Sequence, residues 1–121
     1  MVLVDTSVWI DYLHGKYSQL QTLLEENRVL CHPFVIGELA LGSLKDRSIM
    51  LKRLKGLPQA TMARHAEVLQ LISSNSLFGT GIGYVDAHLM ASVHLTPDAS
   101  LLTGDKRLHT MAARSSLAFH L

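Results

Sequence analysis

The sequence predicts an α/β fold, a single domain over residues 1–121 in which helices cover a central parallel sheet. Three observations predict it. Short apolar or β-branched runs recur at positions 2–4, 29–31 and 100–103, and amphipathic helical spacings fill the stretches between them. No repeat, low-complexity tract or linker divides the chain. Strands that alternate with helices pair in parallel through crossovers, which gives a layered α/β domain.

The elements follow in order. The strand at 2–4 runs into Asp5-Thr6-Ser7, three side chains able to cap the helix that Val8, Trp9, Tyr12 and Leu13 then mark. Tyr17, Leu20, Leu23 and Leu24 define a second amphipathic stretch ending near Asn27. After the strand at 29–31, Pro33 suits the first turn of a helix carrying Val35, Leu39 and Leu41 toward a stop at Gly42. A basic helix follows at 46–55, closed by Gly56 and Pro58. The longest helical pattern places Met62, Ala66, Leu69 and Ile72 on one side and weakens at Ser73-Ser74-Asn75. Gly79, Gly81 and Gly83 lack the spacing and the preceding strand of a dinucleotide fingerprint, so they are read as permitting a tight chain path. A helix at 84–95 leads through Thr96-Pro97-Asp98 into the strand at 100–103, a helix begins at Asp105, and a last strand is expected at 117–120.

Composition bounds the function. A hydrophobic fraction of 48% with 17% charged residues is ordinary for a globular domain with a core. The apolar runs fall far short of the roughly 20 residues that span a bilayer, and no basic region precedes the first one, so neither membrane nor signal segment is expected. Cys31 is the single cysteine, which excludes an internal disulfide and a thiolate zinc cage; a cytoplasmic location is the default. A net charge of +1 leaves nucleic-acid contact to local patches, and Lys45, Arg47, Lys52, Arg53 and Lys55 form the foremost one. Such a run also suits a solvated helix face.

Four acids, Asp5, Glu38, Asp86 and Asp105, carry the chemistry. Ligands of open α/β sheets sit beyond the carboxyl ends of the strands. Asp5 and Asp105 follow strands directly, Glu38 lies about one turn into a helix leaving a strand, and Asp86 lies in the first turn of a helix that runs back against the sheet. Singly, each could cap a helix or face solvent. Together they face one edge, where carboxylates about 5 Å apart repel by roughly 3 kcal/mol per pair at an effective dielectric near 20. The readiest remedy is bound Mg²⁺ or Mn²⁺, which points to metal-assisted chemistry on a phosphate. Thr6, Ser7 and Thr103 are placed to orient these carboxylates or a ligand water. Lys106 and Arg107, directly after Asp105, are candidates for contact with RNA phosphate, as are Lys45 and Arg47 in the basic patch. The seven histidines show no H-E-x-x-H or comparable ligand pair, and Cys31 in an apolar strand reads as core.

Four fragments, in order, resemble the PIN-domain ribonucleases and particularly the VapC-type toxins of toxin-antitoxin pairs: Leu3-Val4-Asp5-Thr6-Ser7-Val8-Trp9, Gly37-Glu38-Leu39-Ala40-Leu41-Gly42, Gly83-Tyr84-Val85-Asp86-Ala87-His88-Leu89 and Leu101-Leu102-Thr103-Gly104-Asp105-Lys106-Arg107-Leu108. Leu108 departs from relatives that carry an aromatic residue there. The resemblance implies an α/β/α sandwich with strand order 3-2-1-4-5. It also implies one or two Mg²⁺ or Mn²⁺ ions held by Asp5, Glu38, Asp86 and Asp105, and hydrolysis of RNA phosphodiesters by metal-activated water. Its implied partners are a second copy in a homodimer and a cognate VapB-like antitoxin, in a toxin-antitoxin hetero-oligomer, whose C-terminal segment covers the groove. Two other classes fit parts of the sequence. A receiver-like signalling domain would need paired acids after the first strand and a phosphate-accepting Asp after a middle strand, where this chain has a lone Asp5 and Cys31-His32-Pro33. A catalytically silent partner-binding module would use the acids only to receive a basic peptide.

Overall fold

The computed structural model describes residues 1–16 and 19–120. Tyr17, assigned above to the second amphipathic stretch, lies outside them.

Three strands form a parallel sheet of order β2-β1-β3: β1 (Val2–Val4), β2 (Val29–Leu30) and β3 (Ser100–Leu102). Val2 pairs with Val29 on one side and Ser100 on the other, and Leu3 with Leu30 and Leu101. β1 is buried on both faces, as an apolar central parallel strand must be. From β1 the chain passes through α1 (Thr6–Leu13) and α2 (Leu20–Glu25) to β2. From there it traverses α3 (Pro33–Leu41), α4 (Arg47–Gly56), α5 (His65–Ser74) and α6 (Tyr84–Leu95) to β3, and α7 (Lys106–Arg114) follows. The order of the strands reverses at β1. Right-handed crossovers leaving in opposite directions place their helices on opposite faces, and the crevice for ligands opens between the carboxyl ends of β1 and β3.

The core surrounds this strand trio. Leu3, Val4, Leu20, Val35, Val68, Leu89, Met90, Leu101 and Leu108 are fully buried, and Cys31 lies among them as a core residue. Trp9 is buried while Tyr12 and Leu13 pack partly against the cluster. Helix α6 is buried from Ala87 through Val93, all round rather than on one stripe, because it runs through the middle of the domain.

The expected order of five strands is corrected here. The outer positions carry single parallel bridges, Cys31 with Gln59 and Leu101 with Ala118, instead of strands. Pro58 has no N–H to extend the first, and β3 stops at Leu102 because Thr103 leaves the ladder to bond Asp5. The expected strand at 117–120 is thus one bridge, and β2 ends at Leu30. The face assigned to the 62–72 helix is also corrected. Helix α5 buries Val68 and Leu71, whereas Met62 and Leu69 are 45% and 49% exposed. The Arg64 N–H donates to Glu67 Oε1 at 2.8 Å, a cap that starts the helix at His65 and leaves Met62 in extended chain. Asp46, expected as the first helical residue, instead precedes α4 in the left-handed region with φ 52°.

Candidate functional site

Asp5 is fixed by both strands that flank the crevice. It ends β1, and its backbone N–H donates to the Leu102 carbonyl of β3 at 2.9 Å. Its side chain is only 7% exposed, and three donors hold it: the Thr6 N–H to Oδ1 at 2.8 Å, Thr103 Oγ1 to Oδ2 at 2.7 Å and Ser7 Oγ to Oδ2 at 3.2 Å. A buried carboxylate with this many donors has one orientation.

The other acids attach to the same lattice of hydroxyls. Thr6 Oγ1 donates to Glu38 Oε1 at 2.6 Å, which ties α3 to the start of α1. Thr103 Oγ1, while donating to Asp5, accepts the Asp105 N–H at 3.0 Å, and Ser7 Oγ accepts the Gly104 N–H at 3.1 Å. Asp105 caps α7 by accepting the Leu108 N–H at 2.9 Å. Thr6, Ser7 and Thr103 therefore join β1, α3 and the β3–α7 turn, so each candidate hydroxyl has a defined partner in the site. Replacing Thr103 with Val removes both of its bonds at nearly constant volume. That change is expected to cost about 1–2 kcal/mol in urea unfolding, and roughly 10- to 100-fold in any metal-dependent activity.

Asp86 completes the group from the first turn of α6. Burial raises its carboxyl above the ordinary aspartate value of 3.8, and the negative charges of Asp5, Asp105 and Glu38 push it further, against a lowering bond to the Gly83 backbone. These three interactions place Asp86 and the other acids around one locale. They do not close on a point: among the described residues, no three His, Cys, Asp or Glu side chains are disposed to hold a metal ion. Coulombic influence reaches to about the Debye length of 8–10 Å, whereas ligation needs about 2.0–2.6 Å, so the two findings agree. Glu38 and Asp105 are the exposed members of the group, Glu38 bonded by Thr6 and Asp105 by the Leu108 N–H. The donor set is all oxygen, which fits hard cations such as Mg²⁺ or Mn²⁺.

The basic candidates divide. Lys106 and Arg107 stand exposed on the first turn of α7, beside Asp105. Lys45 and Arg47 lie further off, at the start of α4, and Arg47 spends one N–H on the Ala40 carbonyl at 3.2 Å. Lys45 and Arg53 line a groove of about 620 Å³ that begins at Glu38 and is otherwise walled mainly by Ile10, Leu13, Leu39, Ile49 and Met50. The basic run is thus partly solvated helix face and partly groove rim.

A buried polar cluster behind the site went unread in the sequence. His32 is fully buried at the N-cap of α3. Its Nδ1 accepts the Phe34 N–H at 3.0 Å, so Nε2 carries the proton and donates to Ser92 Oγ, also at 3.0 Å. Ser92 Oγ accepts the Ala63 N–H as well, at 3.2 Å. Burial, and then neighbouring His88, depress the His32 pKa to about 4. His88 is buried, stacks on Phe34 at 4.3 Å, and has no hydrogen-bond partner on either ring nitrogen among the described residues. A His just before Pro33 was a legible cap; Ser92, inside an apolar helix, gave no signal.

Comparison with known proteins follows this geometry. The PIN domain family model matches residues 2–114. Two relatives, both named Ribonuclease VapC32, come from Mycobacterium tuberculosis strains CDC 1551 / Oshkosh and ATCC 25618 / H37Rv. Each is 48% identical over 118 residues, covering 98% of this chain and 95% of the relative.

Proposed function

Because the chain belongs to the PIN-domain family and is similar over nearly its whole length to VapC-type ribonucleases, we propose that it is a metal-dependent endoribonuclease, the toxin of a toxin-antitoxin pair. The single observation that carries the mechanism is the raised pKa of Asp86, caused first by burial and then by the charges of Asp5, Asp105 and Glu38, a convergence that a divalent ion would relieve. Held there, one or two Mg²⁺ or Mn²⁺ ions would supply charge against the phosphate oxygens and lower the pKa of a water for in-line attack.

The chain's own contribution is position. Asp5 is the fixed ligand, locked by Thr6, Ser7 and Thr103. Glu38 and Asp105 would be the solvent-exposed ligands, and Asp86 would complete the set from α6. The all-oxygen set with exposed access suits a phosphodiester presented by single-stranded RNA. Lys106 and Arg107, on the helix that Asp105 caps, would meet the neighbouring phosphate. Lys45, at the groove rim, would meet a more distant part of the strand, while the bond of Arg47 to Ala40 makes it a weaker contact.

The finer family expectations belong to the same proposal. The groove between α1, α3 and α4, apolar along its walls and ending at Glu38, suits an amphipathic antitoxin segment bringing a basic side chain to the acids. A homodimer, a hetero-oligomer with the antitoxin and a cytoplasmic site of action go with this reading; no helix among the described residues is long and apolar enough to cross a membrane. The bridges at Gln59 and Ala118 support outer sheet positions in the order 3-2-1-4-5. A receiver-like role has no support, since the chain after β2 offers Cys31-His32-Pro33 and no acid acceptor.

The test is to incubate antitoxin-free protein with total cellular RNA and Mg²⁺ or Mn²⁺, then to map new 5′-phosphate ends. Discrete ends that vanish with Asp5→Asn are expected. Intact RNA, with binding to a basic partner peptide retained, would favour the silent partner-binding module.

A further inference from the structure

Gly81 and Arg107 lie 26 positions apart by number, yet they touch. A methyl group built on Gly81 would stand 2.9 Å from Arg107 Nη1 and 3.4 Å from both Cδ and Cζ, so the guanidinium lies against bare backbone where no side chain fits. Gly81 belongs to the turn that enters α6, the helix of Asp86, while Arg107 sits two residues beyond Asp105 in the first turn of α7. The arginine therefore spans from the helix of one acid to the loop of another. It is exposed, and among the described residues it forms no hydrogen bond or ion pair. Nor is it among the groups that shift Asp86, whose neighbouring charges are all acidic. A cation on the helix that Asp105 caps, engaged by no carboxylate among the described residues, remains available to an incoming anion.

We propose that Gly81 is a positioning residue for Arg107, and that Arg107, rather than Lys106, contacts an RNA phosphate adjacent to the cleaved one. This rests on the ribonuclease reading and specifies its substrate contact. Arg107 presents a planar fork matched to phosphate oxygens, and a fork seated against Gly81 loses less freedom on binding than an unsupported side chain. Approach of a polyanion to an acidic cluster requires such a cation at the rim. Lys106 has no comparable seat.

Gly79 provides the control. Both glycines have positive φ, 72° for Gly79 and 88° for Gly81, so Ala strains either backbone to a similar degree. Only Gly81 has a neighbour within 4 Å. That neighbour is the end of a flexible side chain, which moves aside without unfolding the domain. Gly81→Ala and Gly79→Ala should therefore match in thermal stability and differ in function.

The experiment measures binding of a fluorescein-labelled single-stranded RNA of about 12 nucleotides, by anisotropy, in EDTA and again in Mg²⁺, alongside cleavage kinetics. Arg107→Ala is expected to weaken binding about 10-fold and flatten the salt dependence by roughly 0.7 in log–log slope, one phosphate's worth for a single strand. In cleavage it should raise KM with little change in kcat. Gly81→Ala should reproduce most of that loss, Gly79→Ala none of it, and Gly81→Ala should add nothing in an Arg107→Ala background. Arg107→Lys should restore the salt slope but only part of the affinity. Equal effects of the two glycine variants, additivity with Arg107→Ala, or no RNA binding by the unmodified protein would overturn the proposal. If RNA binding follows the expected pattern but no cleavage is seen, the phosphate contact stands and the nuclease reading fails.

Discussion

Asp86→Asn is expected to lower metal-dependent RNA cleavage by roughly 10³-fold while making the metal-free protein more stable at neutral pH. The two effects share one cause. Asp86 is half-buried and faces Asp5, Asp105 and Glu38, so its ionised form is disfavoured by the fold. A carboxyl with a raised folded pKa contributes its stability below its unfolded value of 3.8, and that contribution is lost as pH rises through the folded value. The amide lacks this penalty. The variant should therefore melt higher than the unmodified protein at pH 7, and the difference should disappear below about pH 4, near the unfolded value of 3.8. Calorimetric melting of both proteins in EDTA across this range checks the sign. A variant that melts lower than the unmodified protein at pH 7 and is equally active would remove Asp86 from the site.

His32 gives the second large effect, with the opposite dependence on pH. Its folded pKa is depressed to about 4 from an ordinary 6.5, because the ring is buried and His88 lies beside it. Below pH 6.5 the unfolded chain takes up a proton that the folded protein refuses. Stability present above that pH falls by about 2 kcal/mol at pH 5 and about 3 kcal/mol at pH 4. Urea unfolding over this range should show that decline. Asn is a good N-cap, so His32→Asn can still accept from Phe34 but cannot titrate. The variant is expected to be less stable at pH 7, having lost the bond to Ser92, and to have a much flatter profile between pH 6.5 and 5. An unchanged slope would mean that other groups govern acid sensitivity.

Much of the architecture was legible because local signals agreed. Val2–Val4 followed by Asp5 marked a strand passing into a capped helix, Pro33 and Gly42 bracketed α3, and α6 spans the expected 84–95. The acids were legible for a topological reason: each sits just after a strand or in the first turns of a helix at the same sheet edge. What escaped depends on contacts distant in sequence. The apolar face of α5 was misjudged because a helical spacing through Met62 and Leu69 looks the same whether it meets core or solvent, and the cap at Arg64 decided the matter. The outer strands shrank to bridges because Pro58 has no N–H to extend the one beside Cys31 and Thr103 leaves the ladder beside Leu101. Neither the seat of Arg107 on Gly81 nor the His32–Ser92 pair had any sequence spacing to betray it.

The roles of the hydroxyl residues also follow from the fold more than from their type. Thr6, Ser7 and Thr103 are ordinary helix-start and turn residues, yet here they link Asp5 to Glu38 and to the Asp105 turn. Such a lattice gives the buried Asp5 one orientation and leaves Glu38 and Asp105 as the exposed acids beside it.

The account depends on four carboxylates acting as a single cation site. Titration of metal-free protein with MnCl₂ by isothermal calorimetry tests this most directly, with Asp86→Asn measured beside it. Saturable binding to the unmodified protein and an affinity at least about 10-fold weaker in the variant are predicted. No uptake of Mn²⁺, or equal affinity in both proteins, would contradict it.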